Sequence, residues 1–287
     1  MDTIRTVGVM TKPGVEAGYK LVPELIGWLR ERRLGVRYDE ETAVYLDKQD
    51  GLPRDEVPQG AQIVIVLGGD GTLLSASRAL NGREIPLLPV NLGGLGFLTA
   101  ITVEEIFPEL ERALRGEHRI GHRRMLHCEV ERDHQVVAEY EALNDVVVTK
   151  SSLARMIDVD AYVDAHFVAR YKADGLIVST PTGSTAYSLS AGGPIIFPTV
   201  EALCITPICP HMLTNRPVLV PDTSVIQLVC RAEDDLGFLT VDGQVGEPLK
   251  LGDRVICRSS QHQVFLTRPP KMKFFDVLRQ KLKWGER

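Results

Sequence analysis

The sequence predicts two domains: an α/β N-terminal domain with a Rossmann-like parallel sheet, and an all-β C-terminal sandwich. Three observations predict it. Strand and helix patterns alternate from residue 4 to residue 98. Within that stretch Ile63–Leu67 (IVIVL) is a continuous β-branched run, as a strand buried on both faces requires. After Gly121 the pattern changes to short strands separated by turn residues. The predicted limits are 1–98 for the α/β domain, 99–267 for the sandwich and 268–287 for a C-terminal tail.

The elements follow in order. Thr6–Met10 is an apolar strand ending in a Thr-Lys-Pro-Gly loop. Ala17–Arg33 carries Leu21, Leu25, Trp28 and Leu29 at helical spacing, with Glu24, Arg30 and Glu31 on the other side. Val36–Tyr38 and Ala43–Leu46 are weaker strand candidates. Leu73–Leu80 reads as a helix and Leu87–Val90 as another buried strand. Thr102-Val103-Glu104-Glu105 matches a capping box and opens a helix to about Arg115. Strands are predicted at Leu126–Glu131, Val136–Ala142, Val146–Thr149, Ile157–Val163, Leu176–Thr180, Val225–Arg231, Phe238–Val241 and Val255–Arg258. Phe274–Trp284 is a basic helix.

Composition narrows the class. The chain has 287 residues, 44% hydrophobic and 25% charged, which is ordinary for a globular protein and excludes disorder or collagen-like repeats. A chain of this length buries roughly 75% of its unfolded surface and needs no disulfide staples. The net charge of −5 argues against a nucleic-acid partner. Five cysteines at wide spacing, with no Cys-x-x-Cys pair, fit reduced thiols and a cytoplasmic location. The first ten residues lack the pattern of a signal peptide, and no apolar run approaches the length of a membrane span. His118, His122 and His127 fit no zinc spacing.

Two stretches carry chemistry. Gly68-Gly69-Asp70-Gly71-Thr72 follows the IVIVL strand and precedes a helix. Glycines allow close ligand approach, and the amides of the loop and helix start suit phosphate oxygens. Asp70 would repel a phosphate unless it faced a metal or an attacking hydroxyl, and both roles belong to phosphoryl transfer. A tight turn with a capping Asp is the plainer reading. The loop is neither a Walker A motif nor a complete Gly-x-Gly-x-x-Gly fingerprint. The second stretch, Asp174–Pro194, runs from a strand into a Pro181/Gly183 turn and a short helix starting near Ser184 or Thr185, with hydroxyls clustered from Ser179 to Ser188. Such hydroxyls bind ribose, base edges or phosphate, or simply cap the turn. No Gly-x-Ser-x-Gly elbow is present, so hydrolase chemistry has no support.

These residues resemble the NAD kinase family. The resemblance is carried by the Gly68–Thr72 loop, the Asn91–Leu98 segment, Asn144-Asp145, the Asp174–Pro194 block and Thr206-Pro207-Ile208-Cys209-Pro210-His211, in the family's order, and it spans about residues 4–280. The first loop is shared with diacylglycerol, sphingosine and phosphofructo-kinases; the Thr180–Ser188 block is more specific. The resemblance implies transfer of the γ-phosphate of ATP to the adenosine 2′-hydroxyl of NAD, giving NADP. It implies Asp70 as general base, with Gly68, Gly69, Gly71 and Thr72 forming the phosphate loop. It implies that Asn144, Asp145, Arg155, Lys172, Asp174, Thr182, Thr185, Ala186, Tyr187, Ser188, Leu189, Ser190 and Gln244 bind the dinucleotide. It further implies Mg²⁺ held mainly by the ATP phosphates, a tail returning to the first domain, and a homodimer or homotetramer with the NAD site shared between subunits. Two positions depart from the family pattern: Asp145 stands where Glu is common, and Met212 where Thr is common. Another small-molecule or lipid kinase and a non-enzymatic dinucleotide sensor stay open as alternatives. The sequence does not decide between ATP and polyphosphate as donor, or between NAD and NADH as acceptor.

Overall fold

The computed structural model describes residues 4–99, 101–150, 156–231, 237–268 and 273–285. Two compact units result, 1–122 with 264–287, and 123–263. The first unit opens with β1 (Thr6–Thr11), α1 (Glu16–Glu31), β2 (Gly35–Tyr38), α2 (Glu40–Tyr45), β3 (Ile63–Gly68), α3 (Asp70–Ala79), β4 (Leu87–Asn91) and α4 (Ile106–Leu114). Its strands are parallel in the order β2-β1-β3-β4. Every residue of β3 is buried, because helices cover both faces of a parallel sheet. Leu21, Val22, Leu25, Ile26 and Leu29 of α1 recur at helical spacing and enter one core with Val7, Val9, Ile63, Ile65 and Leu67.

Ile106, Leu110 and Ala113 of α4 join that same core, so residues 99–122 are counted with the first unit rather than with the second domain of the sequence division. Two predicted details differ in the structure. Ala43–Leu46 lies not in a strand but at the end of α2. Asp39 caps that helix, accepting from the Thr42 amide at 2.9 Å and from the Thr42 hydroxyl. A local cap overrides the strand preference of an Ala-Val-Tyr-Leu run. At Thr102, half of the capping box forms, the Thr102 N–H donating to Glu105 at 3.1 Å, but the helix itself starts at Ile106.

The chain passes between the units within β5 (Arg119–Arg132) and again within a last long strand. The second unit adds β6 (Gln135–Ala142), β7 (Asp145–Lys150), β8 (Ile157–Val163), β9 (His166–Ala173), β10 (Gly175–Ser179), α5 (Tyr187–Ser190), β11 (Ala202–Ile208), β12 (Val218–Pro221), β13 (Ile226–Cys230), β14 (Gly237–Val241), β15 (Val245–Leu249) and β16 (Arg254–Arg268). Four of these strands, β9, β11, β12 and β15, were not predicted. One antiparallel sheet has the order β12-β11-β10-β7-β14-β15. The other runs β16-β13-β8-β9, with β5 pairing β16 and β6. Alternate residues of both sheets (Val146 and Val148, Leu176 and Val178, Val159 and Ala161, Leu228, Val255) meet in one core, the signature of a sandwich. The end of β16 returns to the first unit, where Leu266 pairs with Leu87. α6 (Phe274–Leu282) buries Val277 and Leu278.

Candidate active site

In the first unit, the carboxyl ends of the parallel strands carry the Gly68–Thr72 loop. β3 delivers Gly68, Gly69 caps α3 without a side chain, and Asp70 is the first residue of that helix. Asp70 is half-buried and its carboxylate is tied to the loop after β4. Oδ2 accepts from the Phe97 amide at 2.8 Å. Oδ1 accepts from the amides of Leu98 and Thr99, both at 3.1 Å, and from the Thr99 hydroxyl at 3.0 Å. A carboxylate offers about four acceptor sites. Oδ1 is saturated and Oδ2 keeps one lone pair for a further donor.

Asn91 organises the same loop. Its Nδ2 donates to the Gly94 carbonyl at 2.8 Å and the Thr99 hydroxyl at 2.9 Å, and its Oδ1 accepts from the Gly93 amide at 2.7 Å. Gly96 must lack a side chain, because a Cβ there would lie 2.2 Å from both Asp70 Oδ1 and the Thr99 hydroxyl. Thr72 is buried with its hydroxyl against Gly68, whereas Gly71 is exposed.

In the second unit, Asn144 immediately precedes β7, Asp145 begins it, and both lie beside Thr180, which follows β10. The Thr180 amide donates to the Asn144 carbonyl at 2.9 Å, and its hydroxyl donates to the Leu143 carbonyl at 2.6 Å. Gly183, next to Thr182, sits so close to Asn144 that a Cβ would reach 2.0 Å from its carbonyl. Asp242, absent from the predicted site, gathers the strand start: its carboxylate accepts from the amides of Leu143, Asn144 and Asp145 at 3.1, 2.7 and 3.2 Å. Burial, and then the charge of Asp242, push the Asp145 carboxyl up to about 7. The sequence signal for Asp242 is its place at the head of the Asp242-Gly243-Gln244 triplet; Gln244 itself is exposed.

The hydroxyl-rich block divides into two groups. Ser184 is buried, donating to the Pro181 carbonyl at 2.6 Å and accepting from the Ile196 amide at 2.9 Å. Ser188 is also buried, 2.9 Å from the Thr206 hydroxyl. Those hydroxyls hold the turn together. Tyr187 and Ser190 are exposed, and Thr185, Ala186 and Leu189 are half-buried. Thr182 is buried and its carbonyl accepts from the Thr185 hydroxyl at 3.2 Å.

Asp174 and Lys172 are not brought to Asn144 and Asp145. Asp174 precedes β10, pairing with the Lys150 ammonium at 2.7 Å, while Asp145 lies opposite Ser179 at the other end. Five residues of strand separate the two ends, about 16 Å. Lys172 is exposed on β9. Arg155 lies outside the described residues. Among the described residues no group of three or more His, Cys, Asp or Glu side chains could hold a metal ion, and no helix is long and apolar enough to cross a membrane.

A nucleotide-type phosphotransferase is the class these features define: a parallel-sheet unit presenting a glycine-framed carboxylate and a β-sandwich unit presenting a buried Asn-Asp pair. Residues 7–118 match the family described as ATP-NAD kinase N-terminal domain, and residues 143–268 match ATP-NAD kinase C-terminal domain. The chain belongs to the ATP-NAD kinase family. It is 64% identical over 287 residues to the NAD kinase of Solibacter usitatus, with all of both chains covered. It is 48% identical to that of Koribacter versatilis, covering 99% of this chain and 100% of the relative. Among solved structures, yeast NADH kinase complexed with NADH superposes with a TM-score of 0.92 at 25% identity, covering 100% of this chain and 89% of that one. An NAD kinase from Archaeoglobus fulgidus in complex with ATP gives 0.78 at 25% identity, covering 97% and 98%.

Proposed function

We infer that this chain is an ATP-dependent NAD kinase, transferring the γ-phosphate of ATP to the 2′-hydroxyl of the adenosine ribose of NAD and releasing ADP and NADP. One observation carries the assignment of roles: Asp70 sits in the glycine loop with one lone pair on Oδ2 uncommitted. A ribose hydroxyl attacks poorly unless a base takes its proton, and a positioned carboxylate contributes about 10²–10⁴ in rate. The new bond joins O2′ to the γ-phosphorus, the bond from that phosphorus to the β,γ-bridging oxygen breaks, and the hydroxyl proton passes to Asp70 Oδ2. The amides of residues 97–99 hold the carboxylate in place for that transfer.

Asn144 and Asp145 bind the dinucleotide in this reading, aided by Thr182, Thr185, Ala186, Tyr187, Ser188, Leu189, Ser190, Gln244 and Arg155. The buried Ser188 acts through the turn it holds. Gly68, Gly69, Gly71 and Thr72 form the phosphate loop. Asp174 and Lys172, set at the other end of β10, serve a neighbouring copy in a homodimer or homotetramer. Mg²⁺ in this reading would be carried by the nucleotide, keeping its water and phosphate-oxygen ligands. When bound, that ion neutralises charge on the transferring phosphoryl group. A cytoplasmic location agrees with five free thiols.

An assay of NADP formation tests the reading, with ATP or polyphosphate as donor and NAD or NADH as acceptor. NADP made from ATP and NAD is the expected result. Phosphorylation of diacylglycerol or sphingosine instead, or dinucleotide binding without turnover, would replace it.

A further inference from the structure

A basic residue stands beside the glycine loop. The Lys12 amide donates to the Leu67 carbonyl at 2.8 Å, which pins the loop after β1 to the last turn-facing residues of β3. The Lys12 side chain leaves this point next to Gly68, where an added Cβ would meet Lys12 Cβ at 3.1 Å. The loop is held from behind by Tyr45, whose hydroxyl donates to the Lys12 carbonyl at 2.6 Å and accepts from the Val15 amide at 2.8 Å. Lys12 is exposed, and its ammonium has no carboxylate partner among the described residues. An exposed lysine on a doubly clamped backbone is a cation anchored at its Cα and without an internal use.

The surroundings match. Two helices begin here, and neither has a side-chain cap: α1 starts after Val15 and α3 after Gly69. Both amino ends carry a positive partial charge. Asp70, the acid in the first turn of α3, is committed to residues 97–99, and Glu16 in the first turn of α1 is exposed to solvent. A lysine beside a glycine loop at the carboxyl end of a parallel sheet supplies the point charge that a phosphate chain needs.

We propose that Lys12, placed beside Gly68, binds the phosphate chain of the donor. The proposal rests on the ATP-dependent reading above and adds a residue to it. The test uses the full chain and three variants, K12M, K12Q and K12R. In steady-state assays K12M and K12Q raise the KM for ATP at least about 10-fold, the loss of one charge-assisted contact. The KM for NAD stays within about 2-fold in those variants. K12R recovers most of the ATP affinity, and all three keep the wild-type thermal midpoint. Titration calorimetry with Mg-ATP and with inorganic tripolyphosphate shows the same loss of affinity without reference to turnover. An unchanged KM for ATP, or an equal rise for NAD, overturns the role of Lys12. Failure of the wild-type chain to make NADP counts against the kinase reading instead, and the tripolyphosphate titration then still decides whether Lys12 binds phosphate.

Discussion

At the residue scale, Asp70 has two functions in one carboxylate. It is the proposed base and also the acceptor for three amides and a hydroxyl. Asp70→Asn therefore does more than remove a base. Its NH₂ group would face N–H donors, so the variant loses about 1–3 kcal/mol of stability while kcat falls at least about 10²; chemical denaturation and NADP assays measure the two losses separately. Gly96→Ala tests the same geometry without touching the acid. A methyl 2.2 Å from Oδ1 must displace the carboxylate, so turnover drops although Asp70 is intact. Wild-type activity in that variant would detach the Asp70–loop contact from catalysis. Asp145 carries a pH effect of definite sign. Its carboxyl titrates near 7 when folded and near 3.9 when unfolded, so the folded state holds the proton more tightly. The associated stability is full below about pH 4 and is lost as pH rises through about 7. Asp145→Asn removes this dependence: urea unfolding at pH 8 finds the variant more stable than wild type, and at pH 4 the advantage disappears.

At the scale of elements, one ion pair with a fully buried carboxylate fastens three elements of the first unit. Arg54 donates to Asp39 at 2.6 Å, to the Thr11 carbonyl at 2.9 Å and to the Ser75 hydroxyl at 3.0 Å. It thereby links the end of β1, the start of α2 and the middle of α3, the helix that carries Asp70. Burial raises the Asp39 carboxyl above its ordinary range, while Thr42 and Arg54 pull it back. Arg54→Met leaves that buried carboxylate unpaired and costs about 3–5 kcal/mol. Adding Asp39→Asn to Arg54→Met recovers part of the loss, and a double-mutant cycle by denaturation reads the coupling. If Arg54→Met alone were harmless, Asp39 would not depend on this pair.

At the scale of the whole molecule, the first unit is discontinuous in sequence. β1–β4 and α1–α4 come from residues 1–122, yet residues 264–287 belong to the same unit, with Leu266 paired to Leu87 and the Thr267 hydroxyl donating to the Leu87 carbonyl at 3.2 Å. The second unit encloses most of the cysteine sulfur in its interior. Cys128, Cys204, Cys230 and Cys257 are buried, and Cys209 is exposed. Burial suppresses thiolate formation, and it raises the Cys204 thiol above its usual range. A thiol reagent such as DTNB should modify one cysteine of the native chain quickly and all five after unfolding in guanidinium. Rapid reaction of two or more native thiols would mean that the sandwich core is open to solvent.

The strand–helix alternation, the buried IVIVL strand, the switch to short strands after Gly121 and the glycine-aspartate loop were legible because each is a local pattern of period or composition. So were Asn144-Asp145 and the Thr180–Ser188 block, which read as contiguous motifs. The four unpredicted strands were less legible: β9 carries only a broken alternation, and β11 is a continuous apolar run interrupted by Pro207. The tertiary structure alone decided which groups meet across long separations. Asp70 finds its donors 27 to 29 residues away, Asp242 finds its amides 97 to 99 away, and Lys12 meets Gly68 across an entire α/β turn of chain. Contacts of that kind leave no periodic trace. A loop acid looks the same in sequence whether it faces solvent or collects four hydrogen bonds, because what distinguishes the two is backbone brought close by the packing of the sheet.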